Sequence, residues 1–458
     1  MSNKQPNIIL INCDDLGYGD VACYGSTINS TPVLDRMTAE GLRFTDFYAA
    51  SSLCSPSRAA LMTGSHPVRV GFTHFDNIPV LCPGQRMGLN PSEITMARLL
   101  RDAGYATGMV GKWHCGDQRE FLPTRHGFDF YFGLPYSNDM GRQVTRDWMP
   151  PLPLLEGEEV IQEQPDLTSL TERYVEHAFR FMRQHRERPF FLYFAHMYVH
   201  LPLYVPHMFM NASRNGRYGA AVECIDWALS VILDELRQLG LEENTLVVFT
   251  SDNGSRGRDG GSNEPLRGRK GETWEGGQRV PCIMRWPGKI APGQTCSEVA
   301  VNYDLLPTFA ALAGAELPQD RILDGVDLSP MLLGHADEEL REELRARPFF
   351  YYWQDQLEAV RQGRWKLHVR KAGEIVHELY DLENDIAEAN NLFDIEMDTV
   401  DALMRLLEQA REDLGDACNQ RRGNNCRPIG EVEHGVPLTQ YDPAHPYIMA
   451  LYDLGDIG

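Results

Sequence analysis

Short, strongly apolar segments that each run directly into a polar cluster constrain the fold of this chain more than any other feature. They are Asn7–Asn12, Tyr105–Val110, Pro189–Ala195 and Thr245–Thr250. Runs of this length and composition predict buried strands. Stretches with helical character lie between them, at Thr31–Glu40, Glu93–Ala103, Leu170–His185 and Ala220–Gln238. This alternation predicts an α/β fold, with a large, mostly parallel mixed sheet flanked by helices.

The polar clusters that follow these strands predict a single functional edge of the sheet. They contain Asp14-Asp15, Lys112 and His114, His196 and His200, and Asp252-Asn253. In parallel sheets, ligands bind beyond the carboxyl ends of the strands. We therefore expect these side chains to converge there, together with the segment after a further strand expected around Phe44–Tyr48.

That further segment, "SSLCSPSRAALMTG" from Ser51 to Gly64, places a cysteine where a helix should begin. Pro56 suits a first helical turn, and Gly64 suits the end of the helix. Cys54 would then lie at a helix N-terminus, where free N–H groups favour negative charge. Arg58 would lie about one turn further on, on the same face. The pair indicates a nucleophile beside an anion-binding cation.

The residue types in these clusters indicate group transfer at a metal. Carboxylate and amide oxygens without a histidine or cysteine spacing suit Ca²⁺ or Mg²⁺ rather than zinc. Arg58, Lys112 and Lys270 would hold a tetrahedral oxyanion, and the histidines would move protons near neutral pH. Each element alone has a common structural role, as a cap, a turn or a core residue. Their joint occurrence at successive strand ends favours sulfuryl or phosphoryl transfer.

The sequence changes character near residue 335, which predicts three parts. Residues 1–335 would form the catalytic α/β domain. Residues 336–415 contain strand-like runs and one amphipathic helix, Asp398–Leu414, and predict a smaller α+β domain with an antiparallel sheet. Residues 416–458 form an irregular tail whose last stretch is apolar enough to pack back on the body.

Composition excludes several classes of protein. The chain has 458 residues and a formal net charge of −22, which argues against a nucleic-acid partner. No apolar run is long enough to cross a membrane. The first residues lack a signal-peptide pattern, so we expect a cytoplasmic protein, with export as the alternative for a trimmed chain. The ten cysteines show no metal-ligand spacing, and Cys418 and Cys426 are the candidates for a disulfide.

The ordered motifs resemble those of the type I sulfatases, a branch of the alkaline phosphatase superfamily. Cys54 to Arg58 matches the C-x-P-S-R motif of that family. "PNIILINCDDLGYGD", "GYATGMVGKWHCG", "LPYSNDMG", "HLP", "SDNG" and "LRGRKGETWEGGQRVP" resemble its other motifs, and "ELYDLENDIAEANNL" resembles its C-terminal domain. The pattern spans roughly residues 6–393 and is most like arylsulfatase A and galactosamine-6-sulfatase.

The resemblance implies a modified nucleophile and a bound cation. In the family, a maturation enzyme oxidises the cysteine to formylglycine, an aldehyde whose hydrate attacks sulfur; here that residue would be Cys54. The same pattern implies Ca²⁺, with Mg²⁺ as the alternative, held by Asp14, Asp15, Asp252, Asn253 and the modified Cys54.

The resemblance also implies roles for the remaining candidates. Arg58 would orient the hydrate, and Lys112, Lys270 and Ser137 would bind the sulfate group. His200 would contact the substrate and protonate the departing alcohol. His114 would deprotonate the second hydroxyl of the hydrate, so that the aldehyde re-forms and sulfate leaves. His196 is the alternative to His200, which is preferred because an x-Pro step follows it.

The expected reaction is hydrolysis of a sulfate monoester, with a small aryl, steroid or sugar sulfate as substrate. The alternatives are a phosphonate or phosphate monoester hydrolase of the same fold and a non-catalytic protein that binds sulfated ligands. The oligomeric state stays open. Candidate residues for the substrate pocket are His74, Asp76, Arg142, Arg146, Trp274, Trp353 and His445.

Overall fold

The structure is a computed structural model that describes residues 5–445, 449–456 and 458. Its strands, in chain order, are β1 (Asn7–Cys13), β2 (Leu42–Phe44), β3 (Phe47–Tyr48), β4 (Met87–Gly88), β5 (Ala106–Gly111), β6 (Phe130–Gly133), β7 (Pro153–Glu156), β8 (Glu159–Glu163), β9 (Phe190–Ala195), β10 (Thr245–Ser251), β11 (Cys282–Arg285), β12 (Gln294–Cys296), β13 (Ala300–Val301), β14 (Pro348–Trp353), β15 (Gln356–Gln362), β16 (Trp365–Lys371), β17 (Glu374–Asp381), β18 (Gly415–Asp416), β19 (Arg421–Arg422) and β20 (Gly430–Glu431).

The α-helices of the described residues flank these strands. They are α1 (Pro32–Ala39), α2 (Cys54–Thr63), α3 (Met96–Asp102), α4 (Leu170–Gln184), α5 (His207–Met210), α6 (Gly216–Gln238), α7 (Glu275–Gln278), α8 (Leu305–Ala313), α9 (Ser329–Leu332), α10 (Glu338–Ala346) and α11 (Met397–Asp413).

A mixed sheet of ten strands forms the centre of the larger unit, in the order β12-β2-β11-β10-β1-β9-β5-β6-β7-β8. Its middle five strands, β10, β1, β9, β5 and β6, are parallel. Antiparallel strands flank this parallel core on both sides. The expected α/β architecture is confirmed.

Both faces of this sheet are buried, because the side chains of β1 alternate between two apolar cores. Ile9 and Ile11 point into a core that also contains residues of α4 and α6. Ile8 and Leu10 point into a second core, formed with α2, α3 and α8. This explains why β1 reads as a continuous apolar run rather than an alternating one.

The prediction of a single strand around Phe44–Tyr48 is wrong in one respect, because the structure has two short strands there. β2 joins the large sheet between β11 and β12, whereas β3 leaves it and pairs with β13. Asp46 lies between the two strands and forms an ion pair with Arg279 at 2.9 Å, so a buried charge separates β2 from β3. The helix expected from Glu93 begins instead at Met96, where the Thr95 side chain accepts a hydrogen bond from the Arg98 N–H.

A second, antiparallel sheet of four strands, β14 to β17, packs against α11. A buried charge network joins it to the larger unit. The Glu275 carboxylate at the start of α7 accepts hydrogen bonds from Tyr351 at 2.7 Å and from Lys366 at 2.9 Å. Both Glu275 and Lys366 are fully buried. The division at residues 335 and 415 stays a prediction.

The tail crosses the surface of the larger unit. Tyr452 is buried, and its hydroxyl donates to the Pro165 carbonyl at 2.6 Å. Part of the apolar stretch, residues 446–448 and 457, lies outside the described residues. Cys418 and Cys426 are free thiols. No helix in the described part of the chain has the length and apolarity needed to cross a membrane.

Candidate active site

The strand register brings the polar clusters to one edge of the sheet. Cys13 of β1 is level with Ser251 of β10, and Asn12 is level with Ala195 of β9. Ala195 is in turn level with Gly111 of β5. Since all of these strands are parallel, the residues that follow them emerge at the same end. The convergence expected from the sequence is therefore present.

Helix α2 begins at Cys54 and ends at Thr63, with Gly64 as the capping residue after it, as the sequence predicts. Gly64 has a φ of 64°, a left-handed conformation that glycine adopts without steric cost. Cys54 is buried, and burial raises the pKa of its thiol to about 11. The unmodified side chain is therefore a neutral thiol near pH 7.

Arg58, one turn into α2, is buried and fixed by several partners. Its Nε donates to Asp252 Oδ2 at 2.8 Å, and its Nη1 donates to the Lys112 carbonyl at 2.9 Å. A further nitrogen lies 3.7 Å from Asp14. The guanidinium thus ties α2 to the ends of β1, β5 and β10.

Two lysines complete the cationic side of the site. Lys112 Nζ donates to Asp14 Oδ2 at 2.6 Å, and Lys270 Nζ donates to Asp15 Oδ2 at 2.9 Å. Nearby cations, Lys112 first, hold the pKa of Asp14 well below its usual range, and Lys270 foremost lowers that of Asp15. With Arg58 and Asp252, three cations face three buried carboxylates, and of the cations only Lys270 is partly exposed, at 10%.

The oxygen atoms of the site fit a divalent cation. One ligand atom each from Asp14, Cys54 and Asp252 lie within 4.8 Å of one another, and the same holds for Asp14, Asp15 and His200. Among the described residues, Asp14 Oδ1 and Asn253 Oδ1 are buried without a hydrogen-bond partner. Buried oxygens of this kind are normally satisfied. The Asn253 amide also donates to Asp15 Oδ1 at 2.8 Å, so both oxygens belong to residues of the carboxylate cluster, which indicates a cation site of hard character.

The two candidate histidines present different ring nitrogens for chemistry. His200 Nδ1 lies 2.7 Å from the Leu201 carbonyl, and His114 Nε2 lies 2.9 Å from the Leu81 carbonyl. A carbonyl oxygen only accepts, so each of these nitrogens carries a hydrogen. His114 Nδ1 is then an unprotonated lone pair, buried without a partner among the described residues. Burial lowers the pKa of both rings.

His196 is directed away from this cluster. Its Nδ1 accepts from the Tyr198 N–H at 3.0 Å, and its Nε2 lies 3.3 Å from the Thr171 hydroxyl. Burial lowers its pKa to about 3. These contacts describe a neutral histidine in the packing between β9 and α4.

Ser137 lies at the same edge of the sheet, because it follows β6, the neighbour of β5. Its hydroxyl is buried and has no hydrogen-bond partner among the described residues. The next residue, Asn138, donates to the Pro202 carbonyl at 3.1 Å and so joins this segment to the His200 loop. Gly458 packs against the His200 ring.

Sequence reasoning missed two residues that position the site, Tyr193 within an apolar strand and Asn302 after β13. Tyr193 of β9 receives a hydrogen bond from Asn12 at 3.1 Å, and its hydroxyl lies 3.5 Å from Arg58 Nη1. Asn302 donates to the Ser57 hydroxyl at 3.0 Å and so fixes the first turn of α2. A tyrosine within "PFFLYFA" has no sequence signal that separates it from a core aromatic.

The pocket candidates divide into two groups. Trp274 and Trp353 line one cavity. The other candidates do not line it. His74 lies nearby, because its ring is 3.7 Å from Asp355, which stands between the cavity residues Trp353 and Gln356. Arg142 lies over the Tyr441 ring, Arg146 donates to the Asp139 carbonyl, and His445 faces Glu163. Asp76 is exposed, with a φ of 50°.

The sheet and the buried charges at its carboxyl edge define the class of α/β enzymes with an alkaline phosphatase-like fold. The chain belongs to the sulfatase family, whose model matches residues 6–315. The model of the N-sulphoglucosamine sulphohydrolase C-terminal domain matches residues 270–413. The second match covers the four-stranded sheet and α11.

Curated relatives and solved structures agree with this assignment. Human arylsulfatase A is 43% identical over 434 residues, which cover 85% of this chain and 83% of the relative. N-acetylgalactosamine-6-sulfatase of Rattus norvegicus is 44% identical over 392 residues, covering 80% and 72%. The crystal structure of Ps i-CgsB in complex with k-i-k-neocarrahexaose has a TM-score of 0.79 at 31% identity, covering 89% and 92%.

The protein is accordingly a sulfuric ester hydrolase, which cleaves a sulfate monoester to an alcohol and inorganic sulfate. A formylglycine nucleophile and a bound metal are features of its family.

Proposed function

We propose that the edge of the sheet described above is the catalytic centre, and that it uses Cys54, as formylglycine, to hydrolyse small sulfate monoesters. The observation that carries this proposal is the pairing of Arg58, Lys112 and Lys270 with three buried carboxylates beside Cys54, which begins α2. Burying this many charged groups costs free energy of folding, and clusters of this kind are typical of sites that bind charged ligands. A divalent cation, an anionic nucleophile and a monoanionic sulfate ester have charges that cancel, so binding all three would leave the net charge of the site unchanged.

Ca²⁺ is our choice for the cation, with Asp14, Asp15, Asp252, Asn253 and the modified Cys54 as its ligands. The donors are oxygen atoms, and the two without a hydrogen-bond partner, on Asp14 and Asn253, support this set. Ca²⁺ accepts six to eight oxygens, whereas Mg²⁺, the alternative, requires a stricter octahedron. When bound, the cation would polarise the oxygen nucleophile and the sulfate group.

The reaction would proceed in two steps at the residue-54 side chain. One hydroxyl of the aldehyde hydrate first releases its proton to solvent, and the resulting alkoxide attacks sulfur. The bond from sulfur to the alcohol oxygen breaks, and the His200 imidazolium gives its Nε2 proton to that oxygen. The second hydroxyl then loses its proton to His114 Nδ1, the carbonyl re-forms, and the bond from carbon to the sulfate oxygen breaks. The partnerless Nδ1 of His114 supports its role as the base.

The remaining residues would hold the reactants. Arg58 orients the hydrate, and Lys112 and Lys270 neutralise the sulfate oxygens. Ser137 donates a hydrogen bond to the same group, which its buried, unpaired hydroxyl supports. His200 would also contact the substrate oxygen that it protonates. A formylglycine-generating enzyme would read Cys54, Pro56 and Arg58 before the chain folds, because all three are buried afterwards.

The substrate would be a small sulfated alcohol, of the aryl, steroid or sugar class. The matched relatives are named for an aryl sulfate and for N-acetylgalactosamine 6-sulfate, and a structural neighbour was solved with k-i-k-neocarrahexaose. The chain is acidic overall, with a net charge of −22, and this favours a substrate with few sulfate groups.

The test compares turnover of 4-nitrophenyl sulfate, 4-nitrophenyl phosphate and a matched phenyl phosphonate by the same preparation. We expect kcat/KM to be highest for the sulfate, and Cys54→Ala to abolish turnover of all three with the fold unchanged by circular dichroism. A higher kcat/KM for the phosphonate or phosphate would make the alternative hydrolase the correct assignment. Binding of sulfate esters without turnover by fully modified protein would indicate a non-catalytic role.

A further inference from the structure

A cavity of about 490 Å³ opens between the segment after Lys270 and the edge of the second sheet. Its wall includes Glu272, Trp274, Trp353, Gln356, Glu358 and Lys371. The volume falls in the range of small-molecule sites. Trp353 ends β14 and Gln356 begins β15, so the smaller sheet supplies one side of the cavity and the larger unit supplies the other.

This cavity adjoins the proposed catalytic centre through consecutive residues. Lys270 contacts Asp15 in that centre, and Gly271, the next residue, lines the cavity. The Gly271 N–H donates to the Ser52 carbonyl at 3.0 Å, two residues before Cys54. A Cβ atom built on Gly271 would lie 3.8 Å from the Trp353 ring. The cavity therefore begins one residue from Lys270, which would bind the sulfate group of the substrate.

The two tryptophans that line the cavity, Trp274 and Trp353, differ in the side chains that contact their rings. Trp274 carries the Arg267 guanidinium 3.7 Å from its ring centre and the Lys371 ammonium at 2.9 Å. Its ring is therefore held in place by cation–π contacts. Trp353 is half-buried and makes no aromatic or cation–π contact with the described residues. It offers an apolar ring to the cavity.

The other wall residues are polar, and they bring carboxylates rather than free cations. Glu358 is buried and accepts from the Thr273 hydroxyl at 2.6 Å and from the Ala372 N–H at 3.0 Å. Lys371 is paired with Glu378. A steroid would take water away from these polar groups without offering hydrogen bonds in return, which is costly. A further sulfate group would meet the carboxylates at short range.

We propose that this cavity binds an uncharged pyranose ring, so that the physiological substrate is a sugar sulfate carrying one sulfate group. The C–H face of the ring packs on Trp353, and its hydroxyls bond to Gln356 and to the carboxylates of Glu272 and Glu358. The inference rests on the proposed function, because the sulfate group must lie at Lys270 for the sugar to lie here. It makes Trp353 a specificity-determining residue.

The test measures kcat and KM for galactose 6-sulfate, N-acetylgalactosamine 6-sulfate and 4-nitrophenyl sulfate in the wild type, Trp353→Ala and Trp353→Phe. Loss of the ring face should lower kcat/KM for the better sugar sulfate about tenfold, mainly through KM. The nitrophenyl ester, which has no hydroxyls for the wall, should change less than about threefold. Trp353→Phe, which keeps an aromatic face, should recover most of the loss.

Three other outcomes overturn the subsite. Equal losses on all substrates would mean that Trp353 supports the catalytic centre. Unchanged kinetics in both variants would place the sugar elsewhere. Preferred turnover of a steroid sulfate by the wild type, reduced in Trp353→Ala, would assign the cavity to an apolar alcohol. Absence of sulfate release from every ester by fully modified wild type would instead refute the proposed function itself.

Discussion

Removal of the His200 imidazole is the sharpest test of the proposed reaction, because its effect depends on the leaving group. The ring is buried at 3% exposure, and its Nδ1–H is committed to the Leu201 carbonyl at 2.7 Å. Its Nε2 lies 4.0 Å from Asp15 Oδ2 and faces the cluster that would hold the sulfate. A proton on Nε2 is therefore directed at the departing oxygen.

The expected magnitude follows from what that proton does. Burial, with Lys270 the main charge acting in the same direction, lowers the pKa of His200, so its imidazolium is a stronger acid and the less populated form of the ring near pH 7. A sugar alkoxide is a poor leaving group that needs this proton, and general acid catalysis contributes about 10²- to 10⁴-fold. That range corresponds to about 3–5 kcal/mol of barrier. A nitrophenolate leaves without a proton, so the rate with 4-nitrophenyl sulfate should fall less than about tenfold.

The assay compares initial rates of sulfate release from galactose 6-sulfate and 4-nitrophenyl sulfate by the wild type, His200→Ala and His196→Gln. His196 belongs to the same loop but bonds to Tyr198 and Thr171. Its variant therefore controls for general loosening of the loop and should affect both substrates alike. Thermal unfolding of each variant checks that the fold is kept.

Equal losses on the two substrates in His200→Ala would refute the reasoning, because a residue that binds sulfate or supports structure does not distinguish leaving groups. A split between substrates in His196→Gln, and none in His200→Ala, would transfer the role of acid to His196.

The other predictions concern the nucleophile, the cation and the contact between the two sheets. Peptide mass spectrometry of active protein should find formylglycine at position 54, because burial keeps the unmodified Cys54 thiol neutral and a neutral thiol is a weak nucleophile. Full activity with only the thiol present would contradict this. Chelation followed by dialysis should abolish turnover and lower Tm, with recovery on adding Ca²⁺, because Asp14 Oδ1 and Asn253 Oδ1, which have no hydrogen-bond partner among the described residues, would lose the cation that satisfies them. Recovery by zinc alone would contradict an oxygen site. Glu275→Gln should cost about 3–5 kcal/mol of unfolding free energy, because it removes the buried carboxylate that Lys366, Arg279 and Arg361 share and leaves only Glu388 to pair with Lys366. The partly exposed Glu272→Gln should cost less than about 1 kcal/mol. Equal denaturation midpoints for these last two variants would show that the buried network contributes nothing.

The agreement between sequence and structure is best where one local rule acts alone. β1 and β10 follow from unbroken apolar runs, and α2 follows from its helix-forming residues between Pro56 and Gly64. The polar residues after the strands were identifiable as candidates because parallel strands share one edge for their carboxyl ends. The ordered motifs then supplied the family, which the matches to the chain confirm.

Local rules failed where distant partners decide the outcome. The segment from Leu42 to Tyr48 is apolar enough for one strand, yet β2 and β3 pair with different neighbours because Asp46 is held by Arg279. Tyr193 looked like a core aromatic because its partner, Arg58, is 135 residues away along the chain.

The sequence by itself determined the α/β class, the family and the set of chemical groups available to the site, because short-range patterns and ordered motifs encode these directly. Only the tertiary structure decided which ring nitrogen of His114 and His200 is free, since carbonyls of Leu81 and Leu201 fix the tautomers. It alone also set Trp353 beside Gly271, residues that are far apart in sequence and meet where the two sheets pack together. Contacts of this kind depend on strand register and packing, which no local stretch of residues specifies.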